Sequence, residues 1–155
     1  MFAASLSRVL RSIFLPAFIL MAAQTGNALA SADLDYLKDN KKKAGVQVTA
    51  SGLQYRVLRK GTGRKPGASD AVEVHYKGSL INGKIFDSSY DRGQSISFPL
   101  NRVIAGWTEG LQLMKEGAKY ELVIPANLGY GINGAGSAIP PRATLIFEVE
   151  LIKVQ

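Results

Sequence analysis

The chain has 155 residues, of which 46% are hydrophobic, a length that suits one globular domain with a short appendage. It contains no cysteine, which excludes disulfide bonds, thiol catalysis and cysteine-based metal sites. The chain has one histidine, His75. This excludes a metal site built from several histidines and restricts the usual general base to a single side chain.

The formal net charge of +7 is compatible with an anionic partner such as nucleic acid or a membrane surface. A basic run lies at Lys41–Lys43, and further arginines and lysines follow between residues 56 and 65. No nucleic-acid-binding motif and no interleaved aromatic residues accompany these charges. The pattern therefore favours a solvated surface, and we expect no nucleic-acid partner.

Residues 1–30 have the organisation of a secretory signal peptide. Two arginines precede an apolar run at 13–23, and Ala28-Leu29-Ala30 forms a small-residue cleavage motif. The apolar run is short and is interrupted by a proline, so it predicts no stable membrane anchor, although a retained anchor is the open alternative. We expect cleavage near Ala30-Ser31 and a mature protein that is periplasmic or secreted.

The segment that follows is too short to form a domain of its own. Its polar sequence carries a thin apolar stripe at Leu34 and Leu37, which predicts one short helix over 32–44 that ends near Gly45. The predicted organisation is a signal peptide at 1–30, a helix and linker at 31–50, and a main domain at 51–155.

The main domain alternates strand patterns with turns. Apolar and polar residues alternate at 52–58, 72–76, 120–124 and 145–152, and a further strand is predicted at 84–87. Asn82-Gly83 is a strong signal for a tight turn between two of these strands. The sequence therefore predicts an α+β fold, in which an antiparallel sheet of about five strands curls to bury one helix.

That helix is predicted at Val103–Met114, where apolar residues recur at helical spacing around the only tryptophan, Trp107. Gly106 and Gly110 lie inside the pattern, and each costs about 1 kcal/mol relative to alanine. A helix that carries this cost often needs its backbone close to another element. An ordinary amphipathic core helix is the alternative that this stretch alone leaves open.

Several residues do not fit a plain hydrophobic core. Tyr76 alternates onto the inward face of its strand, and Phe86-Asp87 places a carboxylate beside an aromatic ring. A glycine-rich loop over 128–136 runs on to Ile139-Pro140-Pro141. Loops of this length between two strands are often functional, so this one is a candidate part of a site.

Four motifs of the main domain are distinctive in combination: Val74-His75-Tyr76-Lys77-Gly78, Gly83-Lys84-Ile85-Phe86-Asp87-Ser88-Ser89, Val103-Ile104-Ala105-Gly106-Trp107 and Ile139-Pro140-Pro141. With Asp91-Arg92-Gly93 and Tyr130-Gly131 they resemble the FK506-binding-protein family of peptidyl-prolyl isomerases, over about residues 50–155. The leader and the segment 49–55 resemble exported bacterial members, the group of the macrophage infectivity potentiator.

The resemblance implies a half-barrel sheet wrapped around the short helix, with a substrate pocket between them whose floor is Trp107. It implies that the Tyr130 hydroxyl and the Ile104 N–H donate to substrate carbonyls. It also implies that Asp87 is held ionised by its neighbours. The implied catalytic residues are Tyr76, Asp87, Ile104 and Tyr130, and the implied substrate-binding residues are Phe86, Arg92, Ile96, Val103, Trp107, Ala138, Ile139 and Phe147.

Three rim positions depart from the family pattern. Ile96 stands where many members have phenylalanine, and Ala138 stands where a larger aliphatic residue is common. Arg102 replaces a glutamate or glutamine. These departures concern ligand affinity and sequence preference rather than the basic activity.

The resemblance implies a cofactor-free isomerase that acts on proline-containing segments of exported proteins and binds FK506-like macrolides. His75 alternates with Tyr76, so we expect it to face away from the pocket and to act as a structural residue. We expect a monomer. The alternative function is a binding module, in which the same pocket holds proline-containing segments without useful turnover.

Overall fold

The computed structural model describes residues 18–155, with side chains described from residue 28 onward. It contains two α-helices and seven strands: α1 (Phe18–Asn40), β1 (Val46–Val48), β2 (Gln54–Arg59), β3 (Ala71–Leu80), β4 (Ile85–Ser88), β5 (Ile96–Pro99), α2 (Ala105–Leu111), β6 (Lys119–Ile124) and β7 (Leu145–Val154). Short 3₁₀ turns at Leu100–Arg102 and Ala126–Leu128 connect some of these elements.

The strands form one antiparallel sheet in the order β1-β2-β6-β7-β3-β4, and β5 also pairs with β3. The two ten-residue strands β3 and β7 pair along most of their length, with Tyr76 opposite Val149. The sheet is not closed, and α2 packs against one of its faces. The predicted α+β fold class is confirmed. The two strands that the sequence did not predict, β1 and β5, are only three and four residues long.

α1 begins at Phe18, before the predicted helix 32–44 begins, and it ends at Asn40, before the predicted end. The predicted cleavage point between Ala30 and Ser31 falls within this helix, while residues 1–17 of the predicted signal peptide lie outside the described residues. Within 18–155, no helix is both long enough and apolar enough to cross a membrane.

α2 approaches the sheet closely because two of its residues are glycines. A Cβ atom built on Gly106 would lie 2.6 Å from Ile124 Cγ2, and one built on Gly110 would lie 2.7 Å from Leu122 Cδ1. Both partners are fully buried in β6. The close backbone contact expected from these glycines is therefore possible because neither position carries a Cβ atom.

We predict that Gly106→Ala lowers the free energy of unfolding by about 1–2 kcal/mol. The new methyl group overpacks against three atoms of the branched Ile124 side chain, within 3.0 Å of each, and this outweighs the gain in helix propensity. Gly110→Ala should cost less, because the end of the Leu122 side chain can rotate away. Urea unfolding followed by tryptophan fluorescence measures both.

The control for this prediction is Gly67→Ala, where the nearest atom to the new Cβ is Asp70 Oδ2 at 3.6 Å. This change should alter stability by no more than about 0.5 kcal/mol. A Gly106→Ala protein as stable as the parent would show that the helix is not held against Ile124.

Candidate functional site

An apolar cavity of about 600 Å³ opens to solvent between α2 and the sheet. Its lining residues come from four strands, the segment before α2, α2 itself and the long loop after β6: Tyr76, Phe86, Asp87, Ile96, Phe98, Arg102, Val103, Ile104, Trp107, Tyr130 and Phe147. A cavity of this size and composition is typical of a site for a small molecule or a short peptide segment.

The floor of the cavity is an aromatic cluster around Trp107, which is 5% exposed. Tyr76 and Phe147 each meet its ring edge to face, with centroids 5.1 Å away in both cases. Phe98 lies tilted against the same ring at 5.2 Å. Edge-to-face contacts of this kind fix ring orientations as well as burying area, so the floor is rigid.

The indole N–H of Trp107 is buried and has no hydrogen-bond acceptor within residues 28–155. A buried donor without a partner costs about 1–3 kcal/mol. The fold carries this cost in order to place an aromatic surface at the bottom of the cavity.

A polar network lies at the edge of this apolar cavity. The Tyr76 hydroxyl donates to Asp87, whose other carboxylate oxygen accepts from Arg92. Arg92 also donates to the Tyr76 oxygen at 3.0 Å. Burial alone would raise the pKa of Asp87, but the hydrogen bonds from Tyr76 and Arg92, with the Arg92 charge, lower it. The carboxylate is therefore ionised and fixed near neutral pH.

The same network acts in the opposite direction on the phenol. Burial, followed by the hydrogen bond to the Asp87 carboxylate, raises the pKa of Tyr76 above its usual value. Tyr76 therefore keeps its proton and serves as a wall of the cavity, not as a base.

Besides the Arg102 guanidinium and the buried Trp107 N–H, two lining residues carry hydrogen-bond donors that have no acceptor within residues 28–155. The Ile104 backbone N–H precedes α2 and bonds to no acceptor in the described part of the chain. Tyr130, 43% exposed, lines the cavity, and its hydroxyl likewise makes no hydrogen bond there. The cavity thus combines apolar walls with a small number of free donors.

His75 lies on the other side of β3 from the cavity. Its Nδ1 atom is 2.9 Å from Ser89 Oγ, and its ring stacks on Tyr90 with centroids 4.7 Å apart. The imidazole is not among the lining groups. Within residues 28–155, Asp87 is the one carboxylate that lines the cavity, and Tyr76 and Arg92 already engage it.

The structure brings most of the sequence-predicted site residues together. All four residues expected to be catalytic line the cavity, as do Phe86, Ile96, Val103, Trp107 and Phe147. Arg92 reaches the site through Asp87 and Tyr76. Ile139 is instead buried in the core, and Ala138 is exposed and does not line the cavity.

Sequence reasoning missed Phe98 as a lining residue. Phe98 follows Ile96 by two positions in β5, so both side chains point to the same face of the strand. That alternation was the available signal. Arg102, singled out as a departure, also lines the cavity and forms no ion pair within residues 28–155.

Two family models match the chain. The model described as FKBP-type peptidyl-prolyl cis-trans isomerase matches residues 62–152. The model described as a domain amino terminal to FKBP-type peptidyl-prolyl isomerase matches residues 17–57. The first covers β3 to β6, β7 as far as residue 152, α2 and every residue of the cavity lining.

Among curated proteins, the chain is 52% identical over 131 residues to an FKBP-type 22 kDa peptidyl-prolyl cis-trans isomerase of Escherichia coli, covering 84% of this chain and 64% of that protein. It is 55% identical over 121 residues to FkpA of Aeromonas hydrophila, an FKBP-type peptidyl-prolyl cis-trans isomerase, covering 78% of this chain and 45% of that protein. The chain therefore spans about half to two thirds of the length of these relatives.

Among solved structures, the chain is similar to a peptidyl-prolyl cis-trans isomerase of Pseudomonas syringae pv. tomato. The TM-score is 0.78 with 46% sequence identity, and the match covers 83% of this chain and 95% of that one.

We predict that Asp87→Asn makes the free energy of unfolding less dependent on pH under acidic conditions. Because the folded pKa of Asp87 is lowered, its contribution to stability is present above the unfolded pKa of about 3.9 and is lost as the pH falls through the folded pKa. The variant should be less stable than the parent at pH 7, and this difference should shrink on acidification. Urea unfolding at several pH values measures both.

Asp35→Asn is the matched control, because Asp35 is an exposed carboxylate on α1 that forms a surface ion pair with Lys38. Its unfolding curves should follow those of the parent at each pH. Equal stability of the Asp87→Asn protein and the parent at pH 7 would contradict the role given to the network.

Proposed function

The chain belongs to the FKBP-type peptidyl-prolyl cis-trans isomerase family, and we propose that it accelerates the rotation of X-Pro peptide bonds. The observation that carries the proposal is the cavity itself: an apolar space with an aromatic floor, lined by the Ile104 and Tyr130 hydrogen-bond donors. The reaction breaks no covalent bond, so such a site needs no nucleophile and no cofactor.

The energetic requirement of this reaction is modest. Rotation of the amide opposes its partial double-bond character, with a barrier of about 18–20 kcal/mol. Uncatalysed exchange takes tens of seconds, so a turnover of about 10 per second needs a barrier lower by only about 4 kcal/mol. Binding contacts that favour the twisted amide over the planar one can supply this amount.

The apolar cavity supplies the first part of this difference. The planar amide is stabilised by a charge-separated resonance form, which water solvates well and an aromatic cavity solvates poorly. Transfer of the proline segment onto Trp107 therefore weakens the bond that must twist. The ring of proline meets the indole face, and Tyr76, Phe86 and Phe147 exclude water around it.

The two donors supply the second part. We assign the Ile104 N–H and the Tyr130 hydroxyl to carbonyl oxygens of the bound segment, where they hold the chain on either side of the rotating bond. Ile104 is fixed by its position at the start of α2, whose first turn bonds to its carbonyl oxygen. Asp87, held by Arg92, keeps Tyr76 in place as a wall.

The substrates in this proposal are proline-containing segments of exported proteins, and FK506-like macrolides are ligands of the same cavity. Ile96 and Arg102 line the cavity, so they can influence sequence preference and macrolide affinity. Ala138 is exposed outside the lining, which gives it less influence than the sequence suggested. The monomeric state expected from the sequence stays a prediction.

We also propose that the protein is exported, with a signal peptide at 1–30 removed before Ser31. The support is the order of basic, apolar and small residues in this segment. Mass spectrometry of the protein expressed in a Gram-negative host should find a periplasmic chain that begins at Ser31. An intact Met1 in the membrane fraction would contradict the proposal.

We predict that the protein catalyses cis–trans exchange of a proline peptide in a protease-coupled assay, with kcat/KM constant between about pH 6 and 8. Catalysis through an imidazole would change the rate near pH 6.5. His75→Ala should therefore retain the parental activity in folded protein. A bell-shaped profile that disappears in His75→Ala would contradict the mechanism, and binding without exchange would favour the binding-module alternative.

The same assay ranks the cavity residues. Tyr130→Phe should lower kcat/KM only about fivefold, because it removes one donor worth about 1 kcal/mol. Trp107→Ala should lower it further, because the proline loses its aromatic floor. That variant also leaves a cavity worth about 3–5 kcal/mol of stability, so circular dichroism must first show that it is folded. The opposite ranking would contradict the dominant role of the apolar floor.

A further inference from the structure

α1 is attached to the domain by buried polar contacts along one of its faces. Asp33, Leu37 and Asn40 share that face, because they are spaced four and then three residues apart. The Asn40 side chain donates to Gln54 at 2.9 Å, and the Gln54 side chain donates to the Leu37 carbonyl at 2.9 Å. One turn before Leu37, Asp33 accepts a hydrogen bond from the Thr144 N–H at 2.5 Å.

The Asp33 contact lies where apolar packing is incomplete. Asp33 is 8% exposed, and cavities of about 300 and 270 Å³ flank it, each with Asp33 in its lining. The Asp33 hydrogen bond is thus a direct link between α1 and the chain at Thr144, with open space on either side of it.

Thr144 ends the loop 125–144, which carries Tyr130. Two residues earlier, Arg142 has a φ of 60°, in a region that residues other than glycine rarely occupy. Its N–H donates to the Gly131 carbonyl at 2.8 Å, next to Tyr130. A short series of contacts therefore joins Asp33 to the residue beside Tyr130.

The loop segment itself separates the two spaces. Tyr130 lines the candidate active site, whereas the next two residues, Gly131 and Ile132, line the 300 Å³ cavity against α1. A shift of α1 relative to this segment would thus move the backbone from which the Tyr130 side chain extends. The Tyr130 hydroxyl has no partner in the described part of the chain, so the loop backbone sets where it points.

We propose that Asp33 is a positioning residue for Tyr130, and that α1, through Asp33, fixes the loop that completes the active site. The effect on catalysis rests on the proposed isomerase function, whereas the effect on the placement of Tyr130 does not. Asp33 lies after the proposed cleavage point, so the mature chain retains this residue.

The first test is a double-mutant cycle on kcat/KM. Asp33→Ala should lower kcat/KM about threefold to fivefold in the parent and less than about twofold in a Tyr130→Phe background, because the two changes act through one donor. Asp33→Asn keeps an oxygen acceptor for the Thr144 N–H and should retain at least about half of the parental value. The exposed Asp35→Ala on the same helix should match the parent.

The second test does not depend on activity. The chain labelled with 3-fluorotyrosine gives a fluorine resonance for Tyr130, assigned by its absence in Tyr130→Phe. Asp33→Ala should shift or broaden this resonance, while Asp33→Asn and Asp35→Ala should leave it in place. If the parent protein is inactive on every proline peptide and Asp33→Ala still shifts the Tyr130 resonance, the proposed function is refuted and the positioning role is upheld.

The proposal is overturned if Asp33→Ala leaves both kcat/KM and the Tyr130 resonance unchanged. It is also overturned if the loss of activity is equally large in the Tyr130→Phe background, since a general loss of stability would act in both. If Asp33→Ala does not fold, Asp33→Glu, which displaces the carboxylate by one methylene group, takes its place in both tests with the same expected and contrary results.

Discussion

The close contact between the backbone of α2 and β6 is the constraint on which the rest of the structure depends. At Gly106 and Gly110 there is no space for a side chain next to Ile124 and Leu122, because the helix backbone lies directly on the sheet. This depth places the indole of Trp107 within 5.1 Å of the rings on β3 and β7. A helix held further out by one methyl group would lose these edge-to-face contacts and leave the cavity without a rigid floor.

The site keeps an apolar floor and a charged hydrogen-bond network in separate places. The floor is so apolar that the Trp107 N–H finds no acceptor among residues 28–155, whereas Asp87 at the edge accepts hydrogen bonds from Tyr76 and Arg92. Tyr76 belongs to both, because its ring meets Trp107 and its hydroxyl meets Asp87. This division lets the cavity withdraw water from a bound amide while the charge nearby stays fixed and compensated.

Much of this arrangement could be predicted from local patterns in the sequence. Alternation placed Tyr76 on the inner face and His75 on the outer one, and the two glycines indicated the close approach of the helix. Family resemblance added the roles of residues that lie far apart in the chain. The short strands β1 and β5 were missed because three or four residues give only a weak periodic signal, and Phe98 was missed with β5 although it alternates with Ile96.

Other features depend on contacts that no local pattern reports. Asp33 bonds to a residue 111 positions away, and nothing in its neighbourhood distinguishes it from the exposed Asp35. Ile139 lies in the core and Ala138 is exposed, so neither lines the cavity. The path of a long loop depends on its tertiary hydrogen bonds, which a local pattern does not report.

In the proposed mechanism, the cavity catalyses rotation by desolvation and hydrogen bonding, without transfer of a proton. The solvent deuterium isotope effect on kcat/KM for a proline peptide tests it most directly, because proton transfer in the transition state slows a reaction in deuterium oxide. We predict a ratio of about 1 that is the same in the parent and in Tyr130→Phe. A ratio of about 2 or more would contradict the mechanism, since it would require an acid or base to act on the substrate.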